Sequence, residues 1–406
     1  MRTTIPNGST VAFSGFTSAG AAKHVPSQLK DHTGLRVIAG ASAGDLDNEL
    51  CEAIAWRAPY QSSSKLRQRI RHGQAEFVDL HLSQVPRKVR NGDLGRIDFA
   101  VIEAAACYPS GLIAPTRSAG ASQAFLDVAD QVIIEVNRSV RVHNMADFPD
   151  TNKAYNYPSH PMERVGSSFM RVDPDKVVEV INTNQNDAHT RFKKASSVVE
   201  SIGMNVANFL AREFDARQLV IQSGVGSVAN CVLEEIGFNT DIQPFYMYTE
   251  VAQPTALTLL NHGRIKGIST CALTVNPDMY GLIDELQDRI VLRPQDVSNS
   301  PAVIEHLNVV AINTALQADV TGHVNSTYSE KGIVNGIGGS GDFARNASLS
   351  IFALPSEHNG VKSIVECVRH VDHSEHSVQV LVTEKGVADL RGLSPAARER
   401  VIRTIA

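Results

Sequence analysis

Short apolar runs rich in β-branched residues alternate along the chain with segments of helical periodicity. In the first half the runs are Val11 to Phe16, Leu35 to Ala39, Phe99 to Ala104, Gln131 to Val136 and Lys176 to Ile181. In the second half they are Val220 to Gln222, Phe245 to Thr249, Ile290 to Leu292, Val309 to Asn313, Leu349 to Leu354, Ser363 to Val371 and Val378 to Thr383. Such alternation predicts parallel sheet with helical crossovers, so the expected fold class is α/β, in two open, mostly parallel lobes. The polar segments Asn144 to Pro161 and Asn184 to Lys194 break the pattern and place the boundary near residue 190, giving lobes 1–190 and 191–406. The last helical pattern, Ser394 to Ile405, has no evident partner surface, and no fixed-period repeat is present.

A chain of 406 residues, 43% apolar, fills two buried cores and excludes a small disulfide-stapled module. With 38 basic and 43 acidic residues, the net charge of −5 offers no field to attract polyanions, so nucleic acid is not the expected partner. The five widely spaced cysteines form no C-x-x-C pair and read as reduced thiols in a cytosol-like compartment. No run reaches the roughly eighteen apolar residues that a bilayer span needs, and the N-terminus carries no targeting pattern. A soluble, cytoplasmic protein without membrane partners is expected.

Three glycine-rich runs compete for attention. Gly336-Ile337-Gly338-Gly339-Ser340-Gly341 fits the dinucleotide pattern, but no buried strand precedes it and no clear helix follows. It supplies close backbone approach, or else a tight structural turn. Gly40-Ala41-Ser42-Ala43-Gly44 resembles a hydrolase nucleophile elbow, yet only one earlier strand precedes it, so a small-residue turn is the commoner explanation. Gly224-Val225-Gly226-Ser227-Val228 ends a strand and opens a helix, a setting that suits a phosphate. His370, His373 and His376, with Asp372 and Glu375, have the residue types of a metal site, but their strand-like flanks scatter the side chains; no metal is expected. Lys65, Arg67, Arg69 and Arg71 read as a solvated helical face, with a phosphate contact as the alternative. Glu250 ends an apolar run, and strand C-terminal ends are where α/β folds place chemistry; the bland alternative is a glutamate pointing into water.

The strings VAFSGFTSAG, QSSSKLRQRI, FVDLHLS, QSGVG, YTEV, RPQDVSN, NGIGGSGDFARNA and VTEKGVADLRGLSP together resemble the acetyl-CoA hydrolase/transferase family of class I CoA-transferases, over nearly the whole chain. Trp56 to Gln61 and His373 to Ser377 resemble the propionyl-CoA/succinyl-CoA branch. The resemblance implies a CoA-transferase acting through Glu250 as carrier, with acyl-CoA hydrolysis by the same residue as runner-up and a non-enzymatic CoA-binding descendant as a further alternative. It implies that Asn299 and the Gly339 N–H stabilise oxyanions and that Glu384 orients groups in the pocket. Gly224, Val225, Gly226, Ser227, Val228 and Asn335, with Gly339, fall on CoA contacts. It also implies no tightly bound cofactor, CoA as substrate and covalent intermediate, a small carboxylate as second substrate, and a homodimer. Family chains usually carry a further N-terminal helix and a longer helical C-terminal segment, and their loop corresponding to Pro355 to Gly360 holds a lysine, for which Lys362 is the expected substitute here.

Overall fold

The computed structural model describes residues 4–42, 45–149, 157–188, 195–214 and 218–406. Two large sheets organise them. The first has seven strands, all parallel, in the order Val177–Thr183, Gln131–Asn137, Phe99–Ala104, Thr10–Phe13, Leu35–Ile38, Ile54–Ala58 and Glu76–Phe77. The second has eight, in the order Ile290–Leu292, Ile265–Leu273, Phe245–Ala252, Val220–Ser223, Val310–Thr314, Leu349–Ala353, Val380–Thr383 and Gly386–Asp389. Only its last pair is antiparallel. The mostly parallel α/β architecture expected from the alternating pattern is the one found.

Both sheets are wound alike. The chain enters each at a middle strand, adds three strands on one side, then returns past the first strand to build the other. The winding reverses beside Thr10–Phe13 and Val220–Ser223, and it is at the C-terminal strand ends of such switch points that open α/β sheets place ligands. Central strands such as Thr10–Phe13 and Phe99–Ala104 are buried along their whole length, as parallel strands covered on both faces must be. The largest apolar cluster runs through both sheets, from Ala12 and Ile102 to Met247 and Ile351.

Three departures from the sequence reading are informative. Ile265–Leu273, a nine-residue strand, carries Lys266, Gly267, Ser269 and Thr270, which hid it from a hydrophobic reading. Ser363 to Val371 is not one strand: Ile364–Val365 pairs with Gln317–Asp319, and the chain then turns as the Val368 N–H donates to Asp319 Oδ2 (3.2 Å). The closing helix, Pro395–Arg403, is capped by Ser394 and buries Ile402, with Ile405 behind it, among Phe352, Leu381 and Leu390.

The polar stretch Asn144 to Pro161 is more than a connector. Its described part lies along the edge strand Ile290–Leu292, where the Leu292 N–H donates to the Met145 carbonyl and the Asp147 N–H to the Leu292 carbonyl, each at 2.8 Å. Asp147 accepts from the Val165 and Gly166 N–H groups and forms a fully buried ion pair with Arg293, which also donates to Ser269 Oγ (2.7 Å) and the Pro161 carbonyl (3.0 Å). Arg293→Met leaves Asp147 buried without its cation, so it should cost about 3–5 kcal/mol. Urea denaturation checks this; an unchanged midpoint would show that the pair does not hold the segment in place.

Candidate active site

Glu250 lies two residues from the C-terminal end of Phe245–Ala252. Its backbone is pinned from both sides: Thr270 Oγ1 donates to the Glu250 carbonyl (3.1 Å), and Thr249 Oγ1 to the Ser223 carbonyl (3.0 Å). Asn299 arrives from the turn after Ile290–Leu292, at the end of the short helix Gln295–Ser298, and is fully buried. Its Nδ2 donates to Glu250 Oε1 (2.8 Å) while its Oδ1 accepts from Ser298 Oγ (2.7 Å).

The glycine-rich run closes over this pair. Gly339 caps the helix Ser340–Asn346, and a Cβ placed on it would collide with Glu250 Oε1 and come within 2.5 Å of Asn299 Nδ2. Only glycine lets the backbone come this near the carboxylate. Glu250, Asn299 and Gly339 are thus brought together from three separated segments. A helix does follow the run, contrary to the sequence reading, but a two-stranded hairpin, Tyr328–Ser329 with Gly332–Ile333, precedes it in place of a buried strand.

Removal from water pushes the Glu250 carboxyl up to about 8, and the nearby Asp342 charge adds to the shift while the Asn299 hydrogen bond opposes it. Beyond the run, Asp79 takes the Ile337 N–H with both oxygens (2.9 and 3.1 Å) and is itself pushed up to about 6 by burial.

Asp79 belongs to the first lobe, as do several groups that sequence reasoning missed. Tyr60 OH accepts from Asn335 Nδ2 (3.1 Å), and Ser83 donates to Asp342. The Arg67 and Arg71 side chains, read as a solvated face, instead donate to the carbonyls of Val334 (2.5 Å) and Ile333 (2.8 Å). The spacing of four residues, which puts both on one side of helix Ser64–Arg71, was the available signal.

The Gly224 to Val228 loop leaves the strand next to Glu250 and opens the helix Ser227–Phe238, with Val225 half exposed. Gln253 braces it: Gln253 Nε2 donates to the Gly224 carbonyl (3.1 Å) and the Gly226 N–H to Gln253 Oε1 (3.3 Å). Gly226 has φ +118°, a left-handed value that suits glycine.

Glu384 does not join the cluster. It follows Val380–Thr383, four strand positions from Glu250, a lateral separation on the order of 19 Å at the usual strand spacing. Its carboxylate holds the backbone N–H (2.8 Å) and hydroxyl of Ser356, and those donors keep its pKa low despite burial. Lys362 is exposed in a short strand beyond that loop.

The three histidines face different neighbours, although the strand-like flank expected before them is not formed. His373 is buried against Phe352 and Ser340, its pKa pushed down to about 4 by burial; His370 packs on Tyr328, and His376 is exposed. Among the described residues no group of three or more His, Cys, Asp or Glu is placed to hold a metal ion. Among them, too, no helix is long and apolar enough to cross a membrane. Of the elbow-like run, Ala43 and Gly44 lie outside the described residues; the Ser42 carbonyl accepts from Ser62 Oγ (3.3 Å).

The chain has known relatives in sequence and in fold. The model of the acetyl-CoA hydrolase/transferase N-terminal domain matches residues 2–182, and that of the C-terminal domain matches residues 276–406. A propanoyl-CoA:succinate CoA transferase of Escherichia coli is 43% identical, over 97% of this chain and 86% of its own. An acetyl-CoA hydrolase of Schizosaccharomyces pombe is 32% identical, over 98% and 83%. The crystal structure of RipA from Yersinia pestis superposes with a TM-score of 0.76 at 23% identity, covering 99% of this chain and 91% of that one, a likeness of fold. The chain belongs to the acetyl-CoA hydrolase/transferase family.

Two predictions follow from the geometry of the cluster. Gly339→Ala should lower activity at least ~100-fold, because its Cβ displaces the Glu250 carboxylate from Asn299. Near-normal turnover in that variant would mean that the run does not cover the reacting group. For Glu250 to act as a nucleophile it would have to be ionised, and burial holds its carboxyl protonated below about pH 8. Plotted against pH, kcat/KM for an acyl-CoA should therefore rise with a midpoint near pH 8 and level off above it; a plateau already reached at pH 5 would contradict this.

Proposed function

We propose that the protein is a CoA-transferase, moving CoA from propionyl-, succinyl- or acetyl-CoA to a small carboxylate by a ping-pong mechanism. The observation that carries this is the convergence of Asn299 Nδ2 and the Gly339 backbone on the Glu250 carboxylate. In the proposed cycle a Glu250 oxygen attacks the thioester carbonyl, and the tetrahedral oxyanion expels CoA thiolate to leave a mixed anhydride. The thiolate attacks the Glu250 Cδ and expels the acyl group as its carboxylate, leaving a glutamyl-CoA thioester. An incoming carboxylate attacks the same Cδ, forming a new anhydride and freeing the thiolate. Attack of that thiolate on the acceptor's carbonyl yields the new acyl-CoA and returns Glu250. Each attack develops an oxyanion, and we assign its stabilisation to Asn299 and the Gly339 N–H; one such donor is worth roughly 3–4 kcal/mol.

CoA is assigned to Gly224, Val225, Gly226, Ser227, Val228 and Asn335, with the free N–H groups that open Ser227–Phe238 facing its phosphates. Glu384 is assigned the support of the loop around Ser356. We divide the chain into lobes at about residue 190 and place it in the cytoplasm as a homodimer.

Hydrolysis is the second reading, supported by the acetyl-CoA hydrolases among the relatives. It uses the same glutamate, with water attacking the anhydride or thioester. Incubation with an acyl-CoA should add the mass of CoA less one water to the Glu250 peptide, and addition of acetate or succinate should yield the corresponding new acyl-CoA with little free CoA thiol. Free thiol appearing as fast as the acyl-CoA is consumed, with no new acyl-CoA formed, would make the protein a hydrolase. No adduct, together with full activity in Glu250→Ala, would remove both readings.

A further inference from the structure

An amide is nearly symmetric in shape, so Asn299 stabilises an oxyanion only if something decides which of its two ends faces Glu250. Three contacts bear on that choice. Asn299 Oδ1 accepts from Ser298 Oγ (2.7 Å), and Nδ2 donates both to Glu250 Oε1 (2.8 Å) and to Asp342 Oδ2 (3.4 Å). With both carboxylates ionised, as nucleophilic attack by Glu250 requires, turning the amide over would set its carbonyl against two acceptor-only groups. Asp342 stands three residues beyond Gly339 on Ser340–Asn346, 4% exposed, and is clamped from the first lobe. Ser83 Oγ donates to its Oδ1 (2.6 Å) and the Ser83 N–H to its Oδ2 (3.0 Å). Ser83 lies in the short turn Leu82–Gln84, whose Leu82 carbonyl accepts from Gln295 Nε2 (2.7 Å) in the helix that delivers Asn299.

We infer that Asp342, fixed by Ser83, is a positioning residue that holds the Asn299 amide with its NH2 group toward Glu250. The inference rests on the reading of Asn299 as an oxyanion donor. It also gives the first lobe a part in the chemistry, since the clamp on Asp342 comes from there.

Asp342→Ala frees the amide to rotate, so kcat should fall ~30-fold while KM for acetyl-CoA stays within about threefold, the mark of an interaction made in the transition state. Asp342→Asn keeps an oxygen where Oδ2 stands and offers its NH2 to Ser83 Oγ, and should recover most of the loss. Because Asp342 acts through Asn299, adding Asp342→Ala to Asn299→Ala should cost nothing further. Wild-type kcat in Asp342→Ala, equal losses in the Ala and Asn variants, or additive losses in the double variant would each overturn the inference. Thermal melting establishes that each variant is folded; if Asp342→Ala is not, Ser83→Ala replaces it in the same cycle, with the same non-additivity expected. Absence of any turnover in the wild type would overturn the functional reading together with this one, whereas an active wild type with an unaffected Asp342→Ala overturns the positioning alone.

Discussion

In the proposed role, the Glu250 carboxylate must be taken out of water without being left unpaired, and much of this site answers that constraint. Hydrated, Glu250 would be a weak nucleophile; buried alone, it would simply stay protonated. The fold gives the buried carboxyl one neutral donor, Asn299, which opposes the upward shift without reversing it, and no cation in contact with it among the described residues. An arginine there would hold the carboxylate ionised and quench its reactivity. The neutral amide leaves the balance on the side of burial.

Such an arrangement needs rigid surroundings, and the two lobes supply them to each other. The Asp147 segment of the first half lies on the edge strand of the second sheet, locked by Arg293. In the other direction, residues 329–342 of the second half rest on Tyr60, Arg67, Arg71, Asp79 and Ser83 of the first. The backbone over Glu250 is therefore second-lobe in sequence but held in place largely by first-lobe side chains.

This exchange explains what could be read from the chain and what could not. Apolar runs such as Phe99 to Ala104 and Val378 to Thr383 are buried on both faces and declare themselves as strands. Ile265–Leu273 does not, because Ser269 and Thr270 are spent on Arg293 and on the Glu250 backbone; polarity near a site masks a strand by the pattern of its side chains. Glu250, Asn299 and Gly339 were singled out through the family strings, and the fold brings the three together in space. Arg67 and Arg71 were not, since a guanidinium bonded to carbonyls more than 260 residues away has the same sequence signature as one in water. Glu384 shows the reverse case: a motif glutamate whose position in the chain gives no hint that Ser356, and not Glu250, is its neighbour.

The reciprocal clasp between the halves also bears on the order in which the chain can mature during synthesis. Asp147 meets Arg293 across 146 residues, and Arg71 meets the Ile333 carbonyl across 262. The first seven strands can pair as soon as they leave the ribosome, but the segment around Asp147 has no edge strand to lie on until residues 265–293 have emerged. At about 5–20 residues per second, that interval lasts on the order of ten seconds, during which Met145, Ala146 and Phe148 lack the surface that will cover them. A nascent chain of this protein thus passes through a stage in which its amino-terminal half is wound but unsealed, and a chaperone that binds exposed apolar segments would find its target there.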